Sequence, residues 1–209
     1  RDTGRPSRCL RRRGTLMWPW EHAAVGYLLY SLGLRALGRD PPSDREAVLL
    51  LVATQVPDLV DKPLSWVLGV FPTGYALGHS AFVAVPVGAA VLVGGRVRDR
   101  VRLGVAIVVG YWGHVAADVL NPLRSGGSPA PERALWPVVT GTPYEDDLGA
   151  GRGVAYLVEF VGSLAALDPL TLVGVYLLLP LVTLVVWVRD GAPGIGPLRG
   201  IVGRWRRTG

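Results

Sequence analysis

Apolar residues fall along this chain in long runs separated by short polar or Gly/Pro-rich stretches. Three runs stand out, at 81–95, 101–120 and 170–188, each bounded by arginine or by Gly and Pro. The last two approach the roughly 20 residues that a helix needs to cross a bilayer core. A fourth, at 23–37, is interrupted by Ser31 and Arg35; Trp18 and Trp20 before it suit an interfacial belt, and Arg35 can snorkel from its far end. The run at 47–56 has the length of a core or re-entrant helix. The pattern predicts an all-α, polytopic membrane helical bundle of about five spans, or four spans and a re-entrant helix if 47–56 does not cross.

Outside the runs, residues 1–16 hold six arginines and no apolar stretch, and Met17, the chain's only methionine, follows. We expect Met17 to be the native initiator, with 1–16 a non-native or disordered basic tail; the alternative is a polybasic segment lying on lipid headgroups. Residues 17–190 then form one helical domain, with an extramembrane loop at 121–153, and 191–209 a basic cytoplasmic tail. A loop of that length is more often functional than idle. Residues 154–166 read as an interfacial or buried helix.

Composition agrees with a membrane protein. Half of the residues are hydrophobic, 18% are charged and the mean hydropathy is +0.35, too apolar for a disordered chain and below the about 25% charge of soluble domains. The net charge of +6 carries no nucleic-acid motif with it, and 21 of the 22 basic residues are arginine, Lys62 being the exception; no nucleic-acid partner is expected. The single cysteine, Cys9, excludes an intramolecular disulfide and a multi-cysteine zinc site. Under five spans, twelve arginines (35, 39, 45, 96, 98, 100, 102, 189, 199, 204, 206 and 207) share one side, against Lys62, Arg124, Arg133 and Arg152 on the other. Positive-inside reasoning puts the twelve and the C-terminus in the cytoplasm of a multi-pass plasma-membrane protein. Counting residues 1–16 would narrow the difference to twelve against ten.

All three histidines, His22, His79 and His114, then sit at helix ends on the extracytoplasmic face. His114 and Asp118 are four apart and project from one helix face, the spacing of two metal ligands on one turn; the plainer alternative is a His–Asp hydrogen bond joining two helices. Asp58 and Asp61 close an apolar helix after Pro57, where carboxylates are costly unless paired, metal-bound or in a polar cavity. His79 opens a helix beside Ser80. Six such groups would suffice for a two-metal centre.

In order and spacing, Glu21-His22, Pro57-Asp58 with Asp61, Gly78-His79-Ser80, Gly110-Tyr111-Trp112-Gly113-His114 with Asp118, Asn121-Pro122 and Leu135-Trp136-Pro137 resemble the YdjM-type family of membrane-bound metal-dependent hydrolases. The likeness covers about 17–144. Two departures stand out: Lys62 follows Asp61 where the family often supplies a histidine, and the longer His-Arg-x-x-Thr-His-Ser element is reduced to Leu77-Gly78-His79-Ser80.

The expected function is a metal-dependent hydrolase at the membrane interface, acting on a phosphoester or other amphiphilic, lipid-like substrate. His22, Asp58, Asp61, His79, His114 and Asp118 are the candidate ligands of a divalent metal, zinc first, with manganese or iron also suited to mixed His and carboxylate sites. Asp58 and Asp61 are the candidate catalytic groups, and Trp136 and Tyr144 the candidate substrate contacts. The alternative is a non-catalytic membrane protein with a structural metal or an ion- or proton-binding site.

Overall fold

Pro19, in the first helical turn, and Glu21, whose Oε2 accepts the Trp18 N–H at 2.8 Å, start helix α1 (Pro19–Ala36). The computed structural model describes residues 17–164 and 167–196. The segment 1–16, most of the basic tail beyond Gly196, and residues 165–166 of the run at 154–166 lie outside the described residues. Every regular element described is helical.

The Ser43-x-x-Glu46 pattern caps the next helix from both directions: Ser43 Oγ accepts the Glu46 N–H and Glu46 Oε2 accepts the Ser43 N–H. That helix, α2 (Asp44–Ala53), stops sooner than the apolar run does. Pro57 has no N–H to donate back to Ala53, so the chain breaks at Thr54 and Gln55 and resumes as α3 (Val56–Lys62). The run at 47–56 is therefore two helices meeting at a corner, and α2, with ten residues, is about 15 Å long.

After a loop come α4 (Ala81–Val97) and α5 (Val101–Leu120), an antiparallel pair. The turns and 3₁₀ segments of 121–151 lead to α6 (Arg152–Leu164). The last run is helical from Pro169 to Arg189: a first turn, α7 (Pro169–Thr171), a π-helical stretch (Leu172–Leu177) and α8 (Leu178–Arg189). Among the described residues one helix, Val101–Ser125, is long and apolar enough to cross a membrane; α4 and α8 are shorter apolar helices.

Helix α5 is the centre of the bundle, packed against α1, α2 and α4, while α8 packs on α1. The distribution of side chains inverts that of a water-soluble core. Glu21, Glu46, Thr54, Asp61 and Asn121 are buried, whereas Leu29, Leu32, Leu51, Val85, Leu181 and Val185 face outward. An exterior this apolar matches a hydrocarbon solvent. Small residues bring the helices together: a Cβ on Gly110 of α5 would lie 2.7 Å from the Leu50 carbonyl of α2.

Both ends of the bundle are tied by polar contacts. At one end the shielded carboxylate of Asp190 accepts hydrogen bonds from Tyr27 at 2.7 Å, Ser31 at 2.5 Å and Arg35. Arg35, at the far end of α1, has a carboxylate partner there because the turn after α8 returns Asp190 beneath α1. At the same end Arg102 donates to Glu46, fixing the start of α5 to α2. At the other end Phe160 of α6 packs on Trp18 and Tyr176.

Close approach at Gly110 makes a clear prediction. Gly110→Ala forces α2 and α5 apart and costs about 1–3 kcal/mol, whereas a Cβ on Gly33 meets nothing within 4 Å, so Gly33→Ala is neutral or stabilising by up to about 1 kcal/mol. Melting temperatures in detergent check the pair; equal values for both variants would contradict the packing argument.

Candidate metal centre

Four of the six proposed ligands converge. One ligand atom from each of Asp58, His79, His114 and Asp118 lies within 4.8 Å of all the others, and all four residues are buried. The two Nε2 atoms of His79 and His114 are 3.0 Å apart. Asp118 Oδ2 is 3.2 Å from the first and 3.3 Å from the second. Asp58 Oδ1 is 3.6 Å from both. Tetrahedral ligands at about 2.0–2.1 Å from one ion are separated by roughly 3.3 Å, so these spacings suit a single small cation.

The local sequence explains why these atoms face inward. The corner after α2 leaves the Thr54 carbonyl without a helical donor, and His114 Nδ1 donates to it at 2.6 Å. That bond fixes the tautomer, turning the Nε2 lone pair toward the cluster. His79 is oriented the same way, since its Nδ1 donates to Asp61 Oδ2 at 2.8 Å. Asp58 pairs through Oδ2 with Lys62, one helical turn on, and its Oδ1 is buried with no hydrogen-bond partner among the described residues.

Two imidazole lone pairs at 3.0 Å require something positive between them, a proton or a metal ion. A shared proton would satisfy the His–His–Asp118 contacts but leaves Asp58 Oδ1 bare in a buried site, at a cost of about 1–3 kcal/mol. The donor set, two imidazoles and two carboxylates, fits a divalent ion of the zinc, manganese or iron kind.

The other two proposed ligands stand beside this group. Asp61 accepts the N–H groups of Ala76 at 2.8 Å, Gly78 at 2.8 Å and His79 at 3.0 Å besides the His79 ring. Its oxygens are occupied by the loop, which places it behind His79 rather than in the group. His22 stacks on His114 with ring centroids 3.7 Å apart, its Nε2 3.7 Å from Asp118 Oδ1, and neither ring nitrogen has a partner among the described residues. The backbone of Trp136 accepts the Ser80 hydroxyl at 2.5 Å. The Tyr144 hydroxyl accepts Trp66 Nε1–H at 3.2 Å and the Gly74 N–H at 3.0 Å. Both lie in the loop layer next to the site.

Sequence reasoning did not pick out Thr54, Tyr75 or Arg133. Tyr75 meets the His79 ring edge-on at 5.0 Å; Arg133 lies 4.8 Å from the Tyr75 ring and donates to the Asp118 carbonyl at 2.9 Å. Only Pro57, three residues after Thr54, hinted at a free carbonyl; the other two carry no spacing signal.

Burial would raise the Asp61 carboxyl, but the bonds from His79, Gly78 and Ala76 outweigh it and hold it below the usual carboxylate range. Burial likewise disfavours a charged His79, yet Asp118 and Asp61 prevail and push its pKa up to about 9.

A bundle that is all-α among the described residues, with two of four convergent His and Asp ligands on its long apolar central helix, is a helical protein with a candidate metal centre at one end of its core. The family profile described as YdjM inner membrane protein matches residues 17–194. The chain belongs to this inner-membrane family. No curated protein and no solved structure matches it.

Because His79 holds a proton up to about pH 9 and a ligand must be neutral, metal uptake at pH 7 releases a proton, and affinity rises with pH, about tenfold per unit, until His79 is deprotonated. Titration calorimetry in buffers of different ionisation enthalpy reads the proton count. Elemental analysis is expected to find one ion per chain, lost in His114→Ala and reduced in Asp58→Ala; undiminished metal in both variants would rule the site out.

Proposed function

We propose that the protein is a membrane-embedded, metal-dependent hydrolase acting on a phosphoester of an amphiphilic, lipid-like substrate. The observation that carries this reading is the pair of facing Nε2 atoms, each held by an outward Nδ1 hydrogen bond, with the unpartnered Asp58 oxygen beside them.

His79, His114 and Asp118 would hold the ion, for which zinc is the first choice, with the free oxygen of Asp58 beside the fourth position. When bound, such an ion acts as a Lewis acid and brings the pKa of water to near 7. Asp61, proposed from sequence as ligand and catalytic group, is a positioning residue: it sets the His79 tautomer and the loop at 76–79. Asp58 orients water through the oxygen that Lys62 leaves free. His22 is a positioning residue: burial, and next to it His114, lower its pKa to about 4, so a neutral ring stacks on His114 beside Asp118. Lys62 and Arg133 place positive charge beside the acidic cluster, which supports an anionic substrate. Trp136 and Tyr144 line the loop layer through which it enters.

The direction of the helices supports five spans. The starts of α1 and α4 and the ends of α2 and α5 meet at the His/Asp cluster, while Arg35, Glu46, Arg102 and Asp190 mark the opposite end. We assign the cluster to the extracytoplasmic face and the C-terminus to the cytoplasm of a multi-pass plasma-membrane protein. A structural metal is the second reading, favoured by the burial of all four ligands.

Hydrolysis of a chromogenic phosphodiester and of labelled phospholipids with added zinc or manganese separates the two. Turnover is expected in wild type, with a loss of at least about 100-fold in His114→Ala and Asp58→Asn. A metal-loaded wild type inert toward both substrates, yet melting higher than its metal-free form, would favour the structural role. For topology, reporter fusions at Gly126 and Gly209 are expected on opposite sides of the membrane; placement on one side would contradict five spans.

A further inference from the structure

A second polar pocket, of about 160 Å³, opens in the loop layer between the helical continuation of α3 and the start of α6. Its walls include Ser65, Trp66, Phe71, Tyr144 and Arg152, with Asp146 and Asp147 also contributing. One ordered water takes up about 30 Å³, so the space suits a polyatomic group.

The inner wall offers donors without acceptors. Arg152 is 6% exposed; one terminal nitrogen donates to the Asp146 carbonyl, and the guanidinium lies 3.8 Å from the Tyr144 ring. Its Nε is buried with no hydrogen-bond partner among the described residues. Ser65, 8% exposed, has a buried Oγ in the same condition. The Tyr144 hydroxyl already accepts from Trp66 and Gly74, so its own proton also points to an acceptor. Burying a guanidinium N–H and a hydroxyl without partners is unfavourable, and an oxyanion removes that cost for all three. The carboxylates of Asp146 and Asp147 belong to exposed residues, and Asp147 is held by the Gly149 N–H at 3.1 Å. They disfavour a bare dianion and attract a positive group at the mouth.

We propose that this pocket binds a phosphodiester monoanion bearing an ammonium group, the chemistry of a phosphoethanolamine headgroup. Arg152, Ser65 and Tyr144 hold the phosphate oxygens, and Asp146 and Asp147 face the ammonium. Lys62, which pairs with Asp58, lies 5.6 Å from the ring of Trp66 in the pocket wall, so the pocket is one side-chain layer from the candidate metal centre. That it holds part of a hydrolase's substrate rests on the function proposed above; binding itself requires neither metal nor turnover.

Titration calorimetry of the full chain in a phosphate-free detergent tests this with glycerophosphoethanolamine and inorganic phosphate as probes. We expect saturable binding of glycerophosphoethanolamine, weaker binding of inorganic phosphate, and unaltered probe binding in His114→Ala, which separates this pocket from the metal centre. Ser65→Ala removes no hydrogen bond of the folded protein, so its melting temperature stays unchanged while probe affinity falls about tenfold; Arg152→Gln abolishes binding. No saturable binding, or wild-type affinity in Ser65→Ala, would overturn the proposal. Repeating the titration in phosphatidylethanolamine nanodiscs identifies the source: reduced apparent affinity means that lipid headgroups occupy the pocket, and unchanged affinity that its ligand is soluble. Persistent probe binding in a protein without hydrolase activity would sink the enzyme reading and leave the pocket standing.

Discussion

The Asp61 carboxylate takes four hydrogen bonds from one loop, through the N–H groups of Ala76, Gly78 and His79 and the Nδ1 of His79. The His79 side of the site depends on that arrangement. A buried carboxylate must be satisfied, and here its satisfaction shapes the 76–79 turn, sets the start of α4 and chooses the histidine nitrogen that faces inward. Gly78 belongs to the same constraint, because a Cβ there would stand 2.7 Å from the Pro57 carbonyl. The loop can wrap the end of α3 only if that position has no side chain.

His114 is oriented by an unrelated route with the same result. Pro57 interrupts the helix and exposes the Thr54 carbonyl, and the glycine contact between α2 and α5 brings that carbonyl within 2.6 Å of Nδ1. Two histidines from distant parts of the chain are thus locked in matching tautomers by oxygen acceptors outside the cluster, the support that metal-ligating imidazoles generally receive. In a bilayer, where free backbone and side-chain polar groups find no water, this polar scaffolding also holds the bundle ends together. Asp190 does so at one end, Asp61 at the other.

Much of this was legible in the sequence, for physical reasons that differ from residue to residue. The apolar runs at 81–95 and 101–120 coincide with helices because long apolar runs between charged ends have few other solutions in lipid. His114 and Asp118 were found because helical periodicity makes i and i+4 neighbours. The run at 47–56 was read as one unit, since hydropathy does not register the hydrogen bond that Pro57 removes. Asp61 was read as a ligand because spacing alone cannot tell a carboxylate that faces an ion from one that faces a backbone loop; that choice is made by the Ala76, Gly78 and His79 amides, which leave no mark in composition. Arg35 and Asp190, 155 residues apart, meet only through tertiary packing of α8 on α1.

The same distinction governs how the four inward atoms are supported. His79 and His114 each have one ring nitrogen engaged outside the cluster, and Asp58 has one oxygen engaged by Lys62. Each side chain thus offers one remaining atom, and those atoms converge with Asp118 Oδ2. A protein using these residues only to pin helices together would gain by pairing every oxygen, as Asp61 does; the bare Asp58 Oδ1 is the departure from that economy. Lys62 reinforces it, because an ammonium on one oxygen moderates the repulsion between Asp58 and Asp118 without occupying the inward position. The cluster is thus arranged as a group that could hold a cation.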